Sequence, residues 1–277
     1  MKRVDLHMHS EWSDGSMRVP DIVRLSKRLG LDCIAITDHD TAEHLPEAVS
    51  EGRRQGLDVV PGTEISAYDT LTGRKVHILC YRASNPRLIT DVCRPYLEER
   101  QRANRGAVER IREAGYAIDI EDAESYVGAG GILHRQHVMH ALADRGYTSR
   151  VYGELYAKLY GENGIAATRS RYMAAEDAVK LAKEAGGLAV LAHPFQYDSM
   201  GILPRLVGLG LDGIELVHHT QTPERREAVA QAAGLYGLFM TGGTDFHGLY
   251  SEKPLCPGAL ETLLPDGHIL LRGVLPL

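Results

Sequence analysis

Two histidines and an aspartate lie close together near the N-terminus, in the stretch VDLHMHSEWSDG at residues 4–15. His7 and His9 are two positions apart, so in an extended strand their side chains point to the same face, about 6.6 Å apart. Asp14 follows on the loop beyond them. Imidazole and carboxylate groups without a nearby thiolate suit zinc, manganese or iron. By itself the stretch is compatible with packed histidines or with part of a metal site.

Side chains of the same types end most of the other predicted strands. They are Asp38, His39 and Asp40 in the second strand, Glu64 in the third, His193 in the fifth, Glu215 in the sixth, and Asp245 and His247 in the seventh. In parallel α/β proteins the carboxyl ends of the strands form the edge at which active sites lie. Core histidines would instead be scattered along the strands. The clustering therefore predicts a metal site at this edge.

Short apolar runs alternate with helical patterns over much of the chain. The runs predict strands at 4–10, 32–40, 57–66, 75–81, 187–194, 212–219 and 238–248, and the patterns predict helices at 20–31, 45–56, 174–186 and 223–234. Pro20 and Pro223 suit a first helical turn, while Gly56 and Gly234 are typical stop signals. Strands that alternate with helices predict an α/β fold, with a parallel sheet covered by helices.

The middle of the chain has a different pattern. Residues 86–172 are mostly helical, with a long charged pattern interrupted at Pro95, and no strand is predicted between 82 and 186. We therefore expect a helical insertion at 86–172 that determines substrate specificity, within a metal-binding framework formed by 1–85 and 173–277.

Composition limits the classes of protein that the chain can belong to. The 31 basic and 37 acidic residues give a net charge of −6, which argues against a protein that coats nucleic acid. No apolar stretch is long enough for a membrane span, and the first ten residues lack the apolar core of a signal peptide. The four cysteines are scattered, which favours reduced thiols and a cytoplasmic location.

Four ordered motifs resemble those of a known family. DLHMHS, TDHD, the histidine of AHP and TDFHG are similar to motifs of the polymerase and histidinol phosphatase (PHP) family of metal-dependent phosphoesterases. The resemblance covers about 1–85 and 187–250 and implies a distorted (β/α)7 barrel. The segment GILHRQHVMHALADRGY resembles the subgroup that removes phosphate from nucleoside 3′,5′-bisphosphates, whose relatives trim short RNA from the 5′ end.

The resemblance also implies which residues bind metal. Two or three divalent ions are expected, most simply manganese, with zinc or iron as alternatives. The implied ligands are His7, His9, Glu64 and Asp245 for one ion, Glu64, His77 and His193 for the second, and Asp14, His39 and His247 for the third. Strict strand alternation would instead turn His39 away and place Asp38 and Asp40 on one side. Asp40 is expected to orient an imidazole.

The same resemblance implies a hydrolytic mechanism. Paired cations can share and deprotonate a water, and the resulting hydroxide would attack phosphorus in line. The implied catalytic residues are Glu64, Asp245, His193 and His247. Either His193 or His247 could donate the proton to the leaving group, and the sequence does not choose between them.

Specificity is expected to come from the insertion. Arg135, with His134 and His137 beside it, lies at a predicted helix start, where backbone N–H groups also favour anions. Lys158 lies in the tyrosine-rich run YGELYAKLYG, and Arg169 precedes the return to the framework. Guanidinium groups around a second phosphate would explain a preference for bisphosphates.

Several functions remain open at this point. The first is hydrolysis of the 3′-phosphate of nucleoside 3′,5′-bisphosphates, such as adenosine 3′,5′-bisphosphate to AMP and phosphate. The second is a 5′–3′ exonuclease on short RNA or DNA, which an open basic and aromatic groove would favour. Histidinol-phosphate phosphatase is a third, which the insertion disfavours. A non-catalytic metal-bearing module that binds nucleic acid is the alternative from another class. We expect no obligate protein partner and no membrane association.

Overall fold

Ten strands form two sheets in residues 1–168 and 171–272, the part of the chain that the computed structural model describes. The strands are β1 (Lys2–Asp5), β2 (Cys33–Ile34), β3 (Asp58–Val59), β4 (Gly62–Tyr68), β5 (Lys75–Tyr81), β6 (Met173–Ala174), β7 (Leu188–Leu191), β8 (Gly213–Val217), β9 (Phe239–Gly242) and β10 (Leu263–Leu264). The smaller sheet has the order β10-β1-β2-β3 and the larger β6-β4-β5-β7-β8-β9. Most neighbours are parallel, but β5 is antiparallel to both β4 and β7, as β10 is to β1.

Backbone hydrogen bonds join the two sheets at both of their junctions. Beyond β1, the N–H of Leu6 donates to Gly242 O over 3.1 Å and the N–H of His9 donates to Phe246 O over 2.7 Å. Beyond β2, the N–H of Asp40 donates to the carbonyl of Glu64 over 2.9 Å. The predicted mixed α/β fold is confirmed, and the closed barrel stays a prediction.

Nine α-helices lie in the described ranges. They are α1 (Val19–Arg28), α2 (Leu45–Gln55), α3 (Pro86–Glu113), α4 (Ile120–Glu124), α5 (Arg135–Asp144), α6 (Glu154–Tyr160), α7 (Ala175–Glu184), α8 (Leu203–Val207) and α9 (Pro223–Tyr236), with short 3₁₀ helices at Met200–Ile202 and Gly248–Tyr250. Gly56 ends α2 in a left-handed conformation, as predicted, whereas α9 continues past Gly234 and ends at Gly237. None of these helices is both long and apolar enough to cross a membrane.

Three sequence-based expectations about the elements were wrong. The predicted strand 57–66 is two strands, β3 and β4, with Pro61 between them. Helix α3 runs through Pro95 without interruption. Pro95 and Asp91 are both exposed, so the carbonyl of Asp91 that lacks its helical partner can face solvent. The third difference is β6, a two-residue strand inside the range predicted to have none.

Most buried apolar residues of the insertion range form a cluster of their own, although Ile89 and Cys93 at the start of α3 belong to the largest framework cluster. Helices α3 and α5 supply Val108, Ile111 and Leu142, which are buried together with Leu133 and Leu159. The largest framework cluster instead packs β4, β5 and β7 against α7. The described residues between 86 and 172 are helices and loops. The expected division at 86–172 stays a prediction, which this separate core supports.

Candidate metal centre

Strand ends, the first residues of β4 and β5, and the adjoining loops bring nine sequence-predicted residues to one edge. His7 and His9 follow β1, Glu64 and His77 lie on β4 and β5, His193 follows β7, and Asp245 and His247 follow β9, with Asp14 and His39 on loops beside them. The imidazoles form a continuous group, since each neighbouring pair of rings has centroids 4.2–5.5 Å apart. Residues far apart in the chain therefore form a single polar cluster.

The first candidate ion site lies between His7, His9, Glu64 and Asp245. Nε2 of His7 is 3.2 Å from Glu64 Oε2 and 3.5 Å from Asp245 Oδ1. Nε2 of His9 is 3.1 Å and 3.2 Å from the same two oxygens. These four residues are the set that the family resemblance implies for one ion.

The second group centres on the other oxygen of Glu64. Oε1 of Glu64 lies 2.8 Å from Nδ1 of His77 and 2.9 Å from Nε2 of His193. His39 approaches as well, with Nδ1 3.4 Å from Glu64 Oε2. Glu64 thus faces the first group with one oxygen and the second with the other, as a bridging carboxylate would.

Asp14 is the centre of the third group. Its Oδ1 lies 3.2 Å from Nε2 of His247, 3.9 Å from Nδ1 of His9 and 4.0 Å from Nε2 of His39. His39 therefore faces the cluster, as the family resemblance implies and strict strand alternation does not. His9 faces two groups, one with each ring nitrogen.

The donor set fits divalent cations. Separations of about 3.0–3.5 Å are those between adjacent ligands around an ion with bonds of about 2.0–2.2 Å. Both ring nitrogens of His9 and Nε2 of His7 are buried and have no hydrogen-bond partner among the described residues. A buried imidazole nitrogen without a partner is costly unless it coordinates a metal. These residues could therefore hold ions, and soft thiolate ligands do not compete.

Charge in the cluster is balanced between carboxylates and imidazoles. Burial alone would raise the pKa of Glu64, but His7, His39 and His77 lower it well below its usual value. Burial likewise opposes a charge on His7, yet Glu215, Glu64 and Asp245 raise its pKa well above the usual value. The carboxylates are thus ionised, which is the state that binds a metal.

Three residues at this edge have positive φ angles. They are Asp40 at 61°, His193 at 22° and Asp245 at 53°. Non-glycine residues rarely adopt this region, and such strain is concentrated at functional sites. Each of the three lies on the connection that follows a strand. The unusual backbone conformation there turns the chain and also sets the direction of the side chain.

A buried carboxylate that the sequence placed at a strand end supports the histidines from behind. Oε1 of Glu215 contacts Nδ1 of His7 at 3.0 Å, and its Oε2 accepts the backbone N–H of His193 at 2.7 Å. Such contacts set the tautomer and the ring orientation of a metal-binding imidazole. Asp38 plays a similar part for the loop that carries Asp14, because it accepts hydrogen bonds from Ser10 and Ser13.

The sequence analysis expected Asp40 to orient an imidazole, and this expectation is wrong. Its Oδ2 accepts a hydrogen bond from Arg100 over 2.8 Å, and its Oδ1 accepts the N–H of Ser66. Arg100 belongs to α3, so this buried ion pair attaches the insertion to the framework. The sequence analysis missed Arg100 because, in a highly charged helix, the sequence does not distinguish a buried arginine from its solvent-exposed neighbours.

The two candidate proton donors differ in their hydrogen bonds. Nδ1 of His247 lies 2.8 Å from the carbonyl oxygen of Asp245, so this nitrogen donates and carries the proton. Nε2 of His247 is the nitrogen left to an ion, and it faces Asp14. Nε2 of His193 instead lies within hydrogen-bond distance of the Glu64 carboxylate. This pattern favours a ligand role for His247.

A cavity of about 260 Å³ opens onto the cluster, and residues of the insertion line part of its wall. Arg135 and His134, two of the predicted substrate contacts, line it. His137 does not, because its Nδ1 accepts the backbone N–H of His134 at the start of α5. Lys158 lies elsewhere, with Nζ 3.1 Å from the hydroxyl of Tyr116. Arg169 lies outside the described residues.

Other lining residues had not been predicted as substrate contacts. The basic ones are Lys75, Arg100 and Lys253; the polar and aromatic ones include Asn104, Gln136, Gln196, Tyr152, Tyr172 and Tyr197. His218 and His219 form a further group with Asp245, at the end of β8. His44 is buried away from the cluster, with Nε2 2.9 Å from the carbonyl oxygen of Ile36.

Comparison with known proteins identifies the family. The PHP domain matches residues 5–187. The chain is 41% identical over 252 residues to phosphoribosyl 1,2-cyclic phosphate 1,2-diphosphodiesterase of Eggerthella lenta, covering 90% of this chain and 96% of that one. It is 28% identical over 261 residues to 3′,5′-nucleoside bisphosphate phosphatase of Chromobacterium violaceum, covering 89% and 88%.

A solved structure agrees with this relationship. A Bifidobacterium adolescentis protein described as a metal-dependent phosphoesterase superposes with a TM-score of 0.83 at 28% identity, covering 90% of this chain and 89% of that one. The chain belongs to the PHP family of metal-dependent phosphoesterases. The resemblance stated from the four motifs is confirmed.

Proposed function

We propose that the chain hydrolyses phosphate esters of a small ribose compound that carries two phosphate groups, with phosphoribosyl 1,2-cyclic phosphate as the first candidate substrate. One water would open the cyclic diester by breaking one P–O bond, and a second would release inorganic phosphate. The second candidate is a nucleoside 3′,5′-bisphosphate, which would lose its 3′-phosphate to give the nucleoside 5′-monophosphate.

The observation that carries this proposal is the composition of the cavity wall. One side consists of the histidine and carboxylate cluster, and the other carries basic side chains. Arg135 is held there by Thr168, whose Oγ1 lies 2.6 Å from Nη2, and Lys75 lies 5.3 Å from the ring centroid of Tyr197. Neither forms an ion pair with a carboxylate in the described ranges. Both can therefore bind an anion, and a second phosphate suits them.

Two of the relatives are named for a ribose compound with two phosphates, and their identities rank these two candidates, while others are named 5′-3′ exoribonuclease at 27–30% identity. Both printed names refer to such compounds, one a phosphoribosyl cyclic phosphate and the other a nucleoside bisphosphate. Identity is 41% to the first and 28% to the second, over similar shares of this chain. This difference is why the cyclic phosphate comes first, ahead of the bisphosphate that the sequence favoured.

The nine clustered residues would hold two or three divalent ions, and we propose manganese. When bound, the ions would activate a water and neutralise charge on the phosphoryl oxygens. Glu64 and Asp245 fix the positions of the histidines through short contacts, and Glu215 holds the ring of His7. We assign catalysis to Glu64, Asp245, His193 and His247. Of the two histidines, we propose His193 as the proton donor, because the two ring nitrogens of His247 face Asp14 and the carbonyl of Asp245.

The size of the cavity bears on the exonuclease alternative. A volume of about 260 Å³ suits a small molecule, and Arg135, Tyr152 and Tyr156 line it from the insertion side. An oligonucleotide would need an open basic and aromatic groove instead. A non-catalytic module is disfavoured because every ligand position that the family implies is filled.

The test is a comparison of phosphate release with added Mn²⁺. The substrates are phosphoribosyl 1,2-cyclic phosphate, adenosine 3′,5′-bisphosphate, AMP and a short 5′-phosphorylated RNA, and the control is the Asp245→Asn variant. We expect kcat/KM to be highest for the cyclic phosphate, lower for the bisphosphate and lowest for AMP and RNA. A higher kcat/KM for RNA than for both two-phosphate compounds, or no release from either of them, would overturn the proposal.

A further inference from the structure

The two carboxylate oxygens of Asp14 have different surroundings. Oδ1 faces the imidazoles, 3.2 Å from Nε2 of His247. Oδ2 faces the insertion and accepts a hydrogen bond from Nε2 of Gln136 over 2.9 Å. One oxygen is therefore available to an ion, while the other is held by a neutral amide.

Gln136 connects Asp14 to the wall of the cavity. It is buried at the start of α5, directly after Arg135, and its Nε2 also lies 2.9 Å from the hydroxyl of Tyr152. An amide nitrogen has two hydrogens, so it can donate to Asp14 and to Tyr152 together. Gln136, Tyr152 and Asp14 all line the cavity. The insertion thus reaches one candidate metal ligand through one side chain.

We propose that Gln136 is a positioning residue, which holds Asp14 as a single-oxygen ligand of the third ion and thereby makes the affinity for that ion depend on the insertion. The inference rests on the proposed function, because it requires ions in the cluster. The terminal torsion of an aspartate has a broad, roughly two-fold profile, so a carboxylate without this bond can rotate. Gln136 keeps Oδ1 toward His39 and His247.

The contacts of the other groups set a limit on the effect. Among the described residues the side chain of Gln136 bonds to Asp14 and Tyr152 and to neither Glu64 nor Asp245, and the first two groups are built from framework side chains. Loss of the amide should therefore weaken one ion and spare the others. Partners that orient a ligand change metal affinity by about 10–100-fold.

The test is a Mn²⁺ titration of the whole chain, followed by calorimetry and by the bound-metal content after gel filtration. Gln136→Met keeps the size of the side chain and removes the donor. We expect the weakest of three ions to lose about 10–100-fold in affinity and the other two to change less than about threefold. Asp14→Asn should affect the same ion. The matched control is Gln196→Met, which changes another cavity glutamine that makes no side-chain bond to Asp14.

A second variant keeps the test decisive if Gln136→Met does not fold. Tyr152→Phe leaves the bond between Gln136 and Asp14 in place but removes one anchor of the amide, so the third ion should weaken by a few-fold only. Equal loss at all three ions, no loss in either variant, or a wild-type chain that binds only two ions would each overturn the inference. A failed substrate comparison with a selective effect on the third ion would instead count against the proposed function alone.

Discussion

The framework wall of the cavity and the insertion wall hold their side chains in different ways. On the framework side, His7 and His9 are completely buried and each contacts two or more carboxylates. On the insertion side, Arg135 is held by a threonine and Gln136 by an aspartate and a tyrosine. The first wall is organised by opposite charges and the second by polar contacts to a few residues. We infer that the framework wall provides the chemistry and that the insertion wall selects the substrate.

The largest effect should follow a change in the framework wall. Replacing Asp245 with Asn removes a charged oxygen shared by His7 and His9, and with it several kcal/mol of electrostatic stabilisation. Turnover should fall by about a thousandfold or more. Phosphate release measures it, and circular dichroism shows whether the chain is folded. The control is Asp266→Asn, at an exposed aspartate whose Oδ2 lies 3.3 Å from the amino group of Met1, and its turnover should be unchanged. A fully active Asp245→Asn variant would remove Asp245 from the site.

A smaller effect should follow a change at Glu215, which contacts His7 from the side away from the cavity. Glu215→Gln keeps the shape but removes the charge that contacts His7, so metal affinity should fall by about 10–100-fold. A Mn²⁺ titration with bound-metal analysis measures this. The control is Glu261→Gln, at an exposed glutamate. Unchanged affinity would mean that Glu64 and Asp245 orient the imidazole without help from behind.

Much of the framework could be predicted from the sequence, because local patterns determine it. Strand β5 has the predicted bounds, and α1, α2, α7 and α9 lie where apolar periodicity and proline placed them. The predicted strands that end at the cluster are too long, since His9 and Asp245 leave the ladder to face each other and Asp40 turns toward Arg100. Positive φ angles at Asp40 and Asp245 show this departure, and residue type alone does not reveal it.

The insertion wall could be predicted much less well. Arg100 binds Asp40 across 60 residues, and Gln136 binds Asp14 across 122. A buried polar side chain on a charged helix has no sequence signal that separates it from a solvated one. The family resemblance correctly predicted that His39 faces the cluster, where strict strand alternation predicted the opposite. It made no prediction for Gln136. Long-range polar contacts are therefore what the structure adds.

The effect of a change in the insertion wall should depend on the substrate. Arg135→Ala removes a guanidinium at the cavity, and a charge-assisted hydrogen bond is worth about 1.5–3 kcal/mol, so KM for a two-phosphate compound should rise by about tenfold or more. KM for a monophosphate should rise less. Steady-state kinetics with adenosine 3′,5′-bisphosphate and AMP measure both. Arg102→Ala, at an exposed arginine of α3, is the control. Equal effects on the two substrates would contradict a second phosphate at Arg135.

The smallest effect should come from Lys158, a basic residue of the insertion that the sequence had placed at the substrate. Its Nζ contacts Tyr116, both by a hydrogen bond to the hydroxyl and over the ring at 5.7 Å, and it does not line the cavity. Because Lys158 does not line the cavity, Lys158→Ala should change kcat/KM by less than about twofold. The same kinetic assay, run beside Arg135→Ala, measures the difference. A loss as large as that of Arg135→Ala would mean that α6 closes over the substrate, and the insertion wall would then include a second helix that reorganises on binding.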